Sequence, residues 1–255
     1  MPPEGKCSLS SAKQHTAPIL GSELLKIFVA RWKNYADVWS VANLITGIKN
    51  SAVISITVLA LSTLTSSMAA FAFAKLDFPG KNIMFLMLLA TMMVPGVVLL
   101  VPQFIMYSKM KWIDTLLPMI IPASLCNINN IFFLRQFMIG LPSGYLDAAK
   151  IDGCSYFGAY RRIFLPLCKP AIISNAIMLF MATWNDYFGP MIFTHSEEKW
   201  TIQVAIAMLS SHYEQQTDIP LVMCASLVAV LPVLILFITC QKYFTDSFAM
   251  SGIKG

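Results

Sequence analysis

Apolar residues along this chain come in long runs rather than in alternation. Stretches at residues 51–74, 83–107, 116–137, 171–194 and 219–240 hold only Arg135 and Asp186 as charged residues among them. Each exceeds the about 20 residues that a helix rising 1.5 Å per residue needs to cross a hydrocarbon core of about 30 Å. The pattern predicts an all-α polytopic membrane protein with five transmembrane helices. Residues 1–50 read as an N-terminal tail and residues 51–255 as the membrane domain. Within the tail, residues 1–20 have no apolar run, so they are neither a secretory signal nor a span.

Composition strengthens that picture. Hydrophobic residues make up 57% and charged residues 12% of the chain, against roughly 25% charged in soluble domains. No polar stretch is long enough for a separate soluble domain. Six cysteines show no C-x-x-C or metal spacing; three lie within or near the apolar runs, and they read as small core residues rather than disulfides or ligands. Prolines and glycine interrupt the runs: Pro95-Gly96 and Pro102 in the second, Pro118 and Pro122 in the third, Pro190 in the fourth, Pro232 in the fifth. Neighbouring helices can satisfy the carbonyls such breaks release, so kinks are expected there, either for packing or to shape a path. Ser62, Ser66, Ser67, Ala69 and Ala70 let the first span approach another helix closely, within a bundle or between subunits.

The most informative polar insert is residues 142–166. Pro142 is expected to open a first helix and Gly153 to end it in the left-handed geometry glycine adopts without strain. Ser155 can cap a second helix, in which Phe157, Tyr160 and Phe164 form one apolar stripe while Arg161 and Arg162 point elsewhere. Pro166 is expected to stop it. Such a helix, turn, helix projection suits a groove on another protein, or the lipid interface. Charge gives the side. Arg135, Lys150, Arg161, Arg162 and Lys169 lie in and around the insert, whereas residues 195–218 carry Lys199 against Glu197, Glu198, Glu214 and Asp218. The insert is therefore cytoplasmic and the acidic loop external. Lys75 and Lys81 agree with that orientation, and Lys109 and Lys111 do not.

The spacing Asp147-Ala148-Ala149, Gly153, Ile163, Leu165-Pro166 resembles the EAA loop of ABC importer permeases, with aspartate for the usual glutamate. AAFAFAKLDFPGK, MMVPGVVLLVPQF, TWNDYFGP and the terminal Lys254-Gly255 are similar to the carbohydrate-uptake branch, in particular the smaller permease of maltose-type transporters. That resemblance covers residues 34–255 and implies a coupling loop at 142–166 that fits a cleft in an ATPase subunit, through Asp147, Ala148, Ala149, Asp152, Gly153, Phe157, Tyr160, Ile163, Leu165 and Pro166. It implies as partners a second permease subunit, two ATPase subunits that hold ATP and Mg, an extracytoplasmic sugar-binding protein and membrane lipid, in a bacterial cytoplasmic membrane. No cofactor on this chain and no nucleic acid is expected. The family typically has six spans, so the first is expected to be missing here. An external tail bearing Lys6, Lys13, Lys26, Arg31, Lys33 and Lys49 opposes the charge rule, which is the physical reason for that expectation.

Polar groups inside apolar runs are costly and point to function or to interhelical bonding. Asn127 and Asn130 share a face of the third run, and Trp184, Asn185 and Asp186 lie toward the outer half of the fourth. Amides and an indole ring can meet sugar hydroxyls and their apolar faces, so these five are the candidate substrate path. There is no G-x-x-x-x-G-K-[ST] loop, no H-E-x-x-H and no G-x-S-x-G. The function expected is a permease subunit. A non-transporting anchor subunit and a membrane-embedded enzyme remain as alternatives.

Overall fold

A computed structural model describes residues 35–36, 38–39, 43–125, 127–212 and 219–252. The expectations for residues 1–34 and for Lys254-Gly255 lie outside them. The described residues form helices joined by short turns: α1 Leu44–Lys75, α2 Lys81–Met92, α3 Leu100–Lys109, α4 Leu117–Leu125, α5 Ile128–Ile139, α6 Gly144–Ile151, α7 Tyr156–Leu167, α8 Lys169–Trp184, α9 Phe188–Phe193, α10 Ile202–His212 and α11 Ile219–Gly252. Leu44–Lys75, Leu117–Ile139 and Ile219–Gln241 are long and apolar enough to cross a membrane. Counting each of two bent pairs as one span brings the number to five: α2 with Gly96–Lys109, at 87°, and α7 with α8, at 77°.

Each break has a local cause. Pro95 lacks a backbone donor, and the chain passes through a 3₁₀ turn, Gly96–Leu99, before α3. Pro102 then falls in the first turn of α3, where no intrahelical donor is needed. The fourth run, expected as one span over 171–194, divides instead into α8 and α9. Pro190 could not donate to the carbonyl of Asp186, and the Asp186 carboxylate accepts from Gly189 N–H at 3.2 Å, starting a new helix. The first span begins at Leu44, seven residues before the expected boundary at 51. Residues 202–212, expected within an external loop, are helical because Ile202, Val204, Ala205 and Leu209 make a buried face against α1 and α11.

α1 is the central post, packed against α4, α5, α8 and α10. Its small residues are the reason: Ser55, Ser62, Ser66, Ser67 and Ala70 are buried, so the close approach foreseen for this helix occurs within the chain. The insert and the acidic loop lie at opposite ends of α1, called cytoplasmic and external after the charge rule. Near Lys75 the helix meets the 142–166 insert, and its first turns meet residues 198–202. Two apolar clusters mark the ends. Phe71, Leu134, Met138, Ala149, Tyr160 and Phe164 belong to the inner one. Ile54, Val58, Tyr107, Met119, Leu179 and Phe193 belong to the outer one.

Candidate functional site

The insert folds as two helices around Gly153, whose φ of 73° is the left-handed geometry expected of it. Ser155 caps α7 by accepting from Gly158 N–H at 3.1 Å. The first helix starts at Gly144, two residues past Pro142, and Asp147 lies in its first turn, where a negative charge suits the helix dipole. Ala149 is buried against the inner cluster, whereas Asp147, Ala148 and Asp152 are exposed.

The expected aromatic stripe divides. Tyr160 and Phe164 are 4% and 0% exposed, packed on Phe71, but Phe157 is 59% exposed. A π turn over Tyr160–Phe164 causes this, since its wider register rotates the preceding turn away from the buried face. Pro166 does not stop the helix. It sits in the turn Leu165–Leu167 beside the half-buried Ile163 and Leu165, and the chain bends at Cys168. The outward apolar surface of the tip is therefore Ile151, 86% exposed, with Tyr156 and Phe157, and Lys150 Nζ lies 5.0 Å from the Tyr156 ring centre. Ile151 and Tyr156 escaped the sequence reading. Their signal was available: apolar residues flanking a turning glycine in an otherwise polar insert.

Deeper in the chain, a cavity of about 250 Å³ is lined by Ile54, Met119 and Leu179 together with Asn127, Thr183 and Asp186. The five polar path candidates separate here. Asn127 and Asp186 face this cavity, Asn127 also capping α5 by accepting from Asn130 N–H at 3.2 Å. Asn130 Nδ2 instead donates to Ser62 Oγ on α1 at 3.0 Å. Trp184 is buried, stacks on Phe180 and donates through Nε1 to Ala229 O of α11 at 3.0 Å. Asn185 Oδ1 accepts from Gln203 Nε2 of α10 at 3.3 Å. Thr183, not among the five path candidates, donates to Ser55 Oγ at 3.2 Å and completes the polar wall.

On the external side Asp114 joins two loops. Its carboxylate accepts from His195 N–H and Ser196 N–H, each at 2.9 Å, and from Ser196 Oγ–H, while its own N–H donates to Phe193 O at 2.8 Å. The Ser196 and His195 donors hold its pKa down to about 2.

Residues 62–248 match the family described as binding-protein-dependent transport system inner membrane component. The chain belongs to that family. It is 36% identical over 206 residues to the arabinooligosaccharides transport system permease protein of Halalkalibacterium halodurans, covering 81% of this chain and 73% of that one. It is 29% identical to the trehalose/maltose transport system permease protein of Thermococcus litoralis, covering 92% and 85%. A crystal structure of a bacterial ABC transporter for import of the acidic polysaccharide alginate superposes with a TM-score of 0.73 at 21% identity, over 84% of this chain and 80% of that one. That last likeness establishes a shared fold. The transport-family membership agrees with a helical membrane protein whose conspicuous polar insert lies at one end of the bundle.

Proposed function

We propose that this chain is one permease subunit of a carbohydrate ABC importer in a bacterial cytoplasmic membrane, pairing with a second permease and driven by two ATPase subunits that hold ATP and Mg. An extracytoplasmic binding protein delivers the sugar. Support for the substrate class comes from the relatives, described as permeases for arabinooligosaccharides and for trehalose and maltose. A cavity offering an amide, a hydroxyl and a carboxylate against Ile54, Met119 and Leu179 suits a molecule with hydroxyls on an apolar ring frame.

The observation that carries the reading is the grouping of Ile151, Tyr156 and Phe157 around Gly153. Apolar side chains on a helical tip facing the cytoplasm fit a groove on a protein partner better than they fit water. In the assembled transporter, Ile151→Cys on a Cys154→Ser background should crosslink to an ATPase subunit, and proteoliposomes should take up oligosaccharide only with ATP inside. Labelling of that cysteine from outside intact cells, or no crosslink, would sink the reading.

A further inference from the structure

One buried polar pair links the insert to the central post. Tyr160 Oη lies 2.8 Å from Ser67 Oγ, and both residues are nearly fully buried. Ser67 Oγ already donates to Leu64 O at 3.1 Å, so Tyr160 is the donor in the pair. The π turn that begins at Tyr160 follows from Pro166. In α-helical register the proline ring would meet the carbonyl of Arg162, and the wider turn, closed by Leu165 N–H on Tyr160 O, relieves that clash. The same turn keeps Tyr160 and Phe164 together against Phe71, with ring centres 5.5 and 5.1 Å away.

Above Ser67, single side-chain bonds tie α1 to the helices around the cavity. Ser62 Oγ accepts from Asn130, Thr65 Oγ1 donates to Ser124 O at 2.8 Å, and Ser55 Oγ accepts from Thr183. Ala123, Asn127 and Thr183, on or beside those partners, line the cavity. The covalent route from α7 to α8 runs instead through a 77° bend at Cys168, a joint that can absorb rotation. We infer that the Tyr160–Ser67 hydrogen bond is the joint by which displacement of α7 reaches α1 and, through it, the cavity walls. Tyr160 is thus a positioning residue for transport. This rests on the coupling reading of the insert.

A bond can bias a two-state cycle only through its difference between the states, and a buried hydrogen bond made in one state alone shifts the balance about three- to tenfold. Tyr160→Phe is a clean probe. It keeps the ring contacts with Phe71, and Ser67 retains Leu64 O as its acceptor, so no hydroxyl proton is stranded. In the complete transporter in proteoliposomes, Tyr160→Phe and Ser67→Ala should each lower sugar taken up per ATP hydrolysed by about three- to tenfold. ATPase subunits should copurify as before, the double variant should be no worse than the lower single, and Ser67→Thr, which keeps a hydroxyl, should restore the ratio. An unchanged ratio in Tyr160→Phe, a double variant showing the product of the two losses, or loss of ATPase association would each overturn the inference. If Ile151→Cys fails to crosslink, the coupling reading itself falls; if it crosslinks and the Tyr160→Phe ratio is normal, only the joint does.

Discussion

The two ends of α1 are held by different kinds of contact. At the external end apolar packing of Leu44 on Ala205 and Leu209 is joined by close contacts to backbone. Asn50 Nδ2 donates to Glu198 O and Trp200 O, both at 2.9 Å, and Ser51 Oγ accepts from Ile202 N–H at 3.0 Å. A Cβ on Gly47 would come within 3.0 Å of Ile202 Cα, so the helix and the chain at 201–202 touch main chain to main chain. At the cytoplasmic end aromatic side chains pack on one another, and the polar links are the Tyr160 hydroxyl, Lys75 Nζ, which donates to Leu141 O at 2.6 Å, and Arg135 Nε, which donates to Phe73 O at 3.2 Å. Backbone contacts fix position closely, whereas ring-on-ring contacts are favourable over a range of geometries, with centroids about 4.5 to 7 Å apart. The difference makes the external end the more rigidly registered of the two.

The same substitution at a glycine of each end should break this contrast most sharply. Gly47→Val puts its side chain against backbone that cannot step aside, and such overpacking costs about 3 kcal/mol. The thermal midpoint of the purified transporter should fall clearly, and uptake should fall with the amount of folded protein. A Cβ on Gly153 would meet no atom within 4 Å, so the penalty of Gly153→Val comes from holding a β-branched residue at a φ of 73°. That costs about 1 to 2 kcal/mol and is local to the tip. Here the midpoint should move little while uptake per ATP drops, because the helices around the turn no longer present Ile151, Tyr156 and Phe157 together. Equal losses of stability from both variants would erase the distinction between the ends.

Much of this was legible in the sequence, for identifiable reasons. A turn that needs left-handed glycine, a serine that caps a helix and a run of small residues act locally, so Gly153, Ser155 and the Ser62–Ala70 stripe carried their structural meaning on the surface of the sequence. The fourth apolar run misled because hydropathy is blind to a helix restart, and the cause lay in the joint action of Asp186 and Pro190. Residues 202–212 were hidden by the acidic residues around them, which set the charge of the segment without setting its conformation. The division of the Phe157, Tyr160, Phe164 stripe required knowing that a proline can widen the turn before it. Among the candidate path residues, Asn127 and Asp186 share a cavity while Asn130, Trp184 and Asn185 bond to other helices. A polar residue inside a span announces that it needs a partner, and only the packing says which.

The smallest expected effect belongs to the external clip. Asp114 is bound in the folded chain as a carboxylate, with a pKa near 2 in place of the ordinary value of about 3.9. A group whose folded pKa is depressed adds stability that is complete above its unfolded pKa and fades as pH falls toward the folded one. The clip should therefore hold fully above about pH 4 and loosen between there and about pH 2. Because the hydrogen bonds to the Asp114 carboxylate are solvent-exposed, screening keeps their share of global stability small, and the readout should be local. Hydrogen exchange at the amides of His195 and Ser196, the two that bond the carboxylate, should accelerate over that range beyond the intrinsic pH trend. In Asp114→Ala the same amides should exchange fast at every pH, with the exchange of α1 unchanged. If α1 loosens with the clip, then the external end is held from the loops as much as from Gly47, Asn50 and Ser51, and the rigidity assigned to that end belongs to the loops.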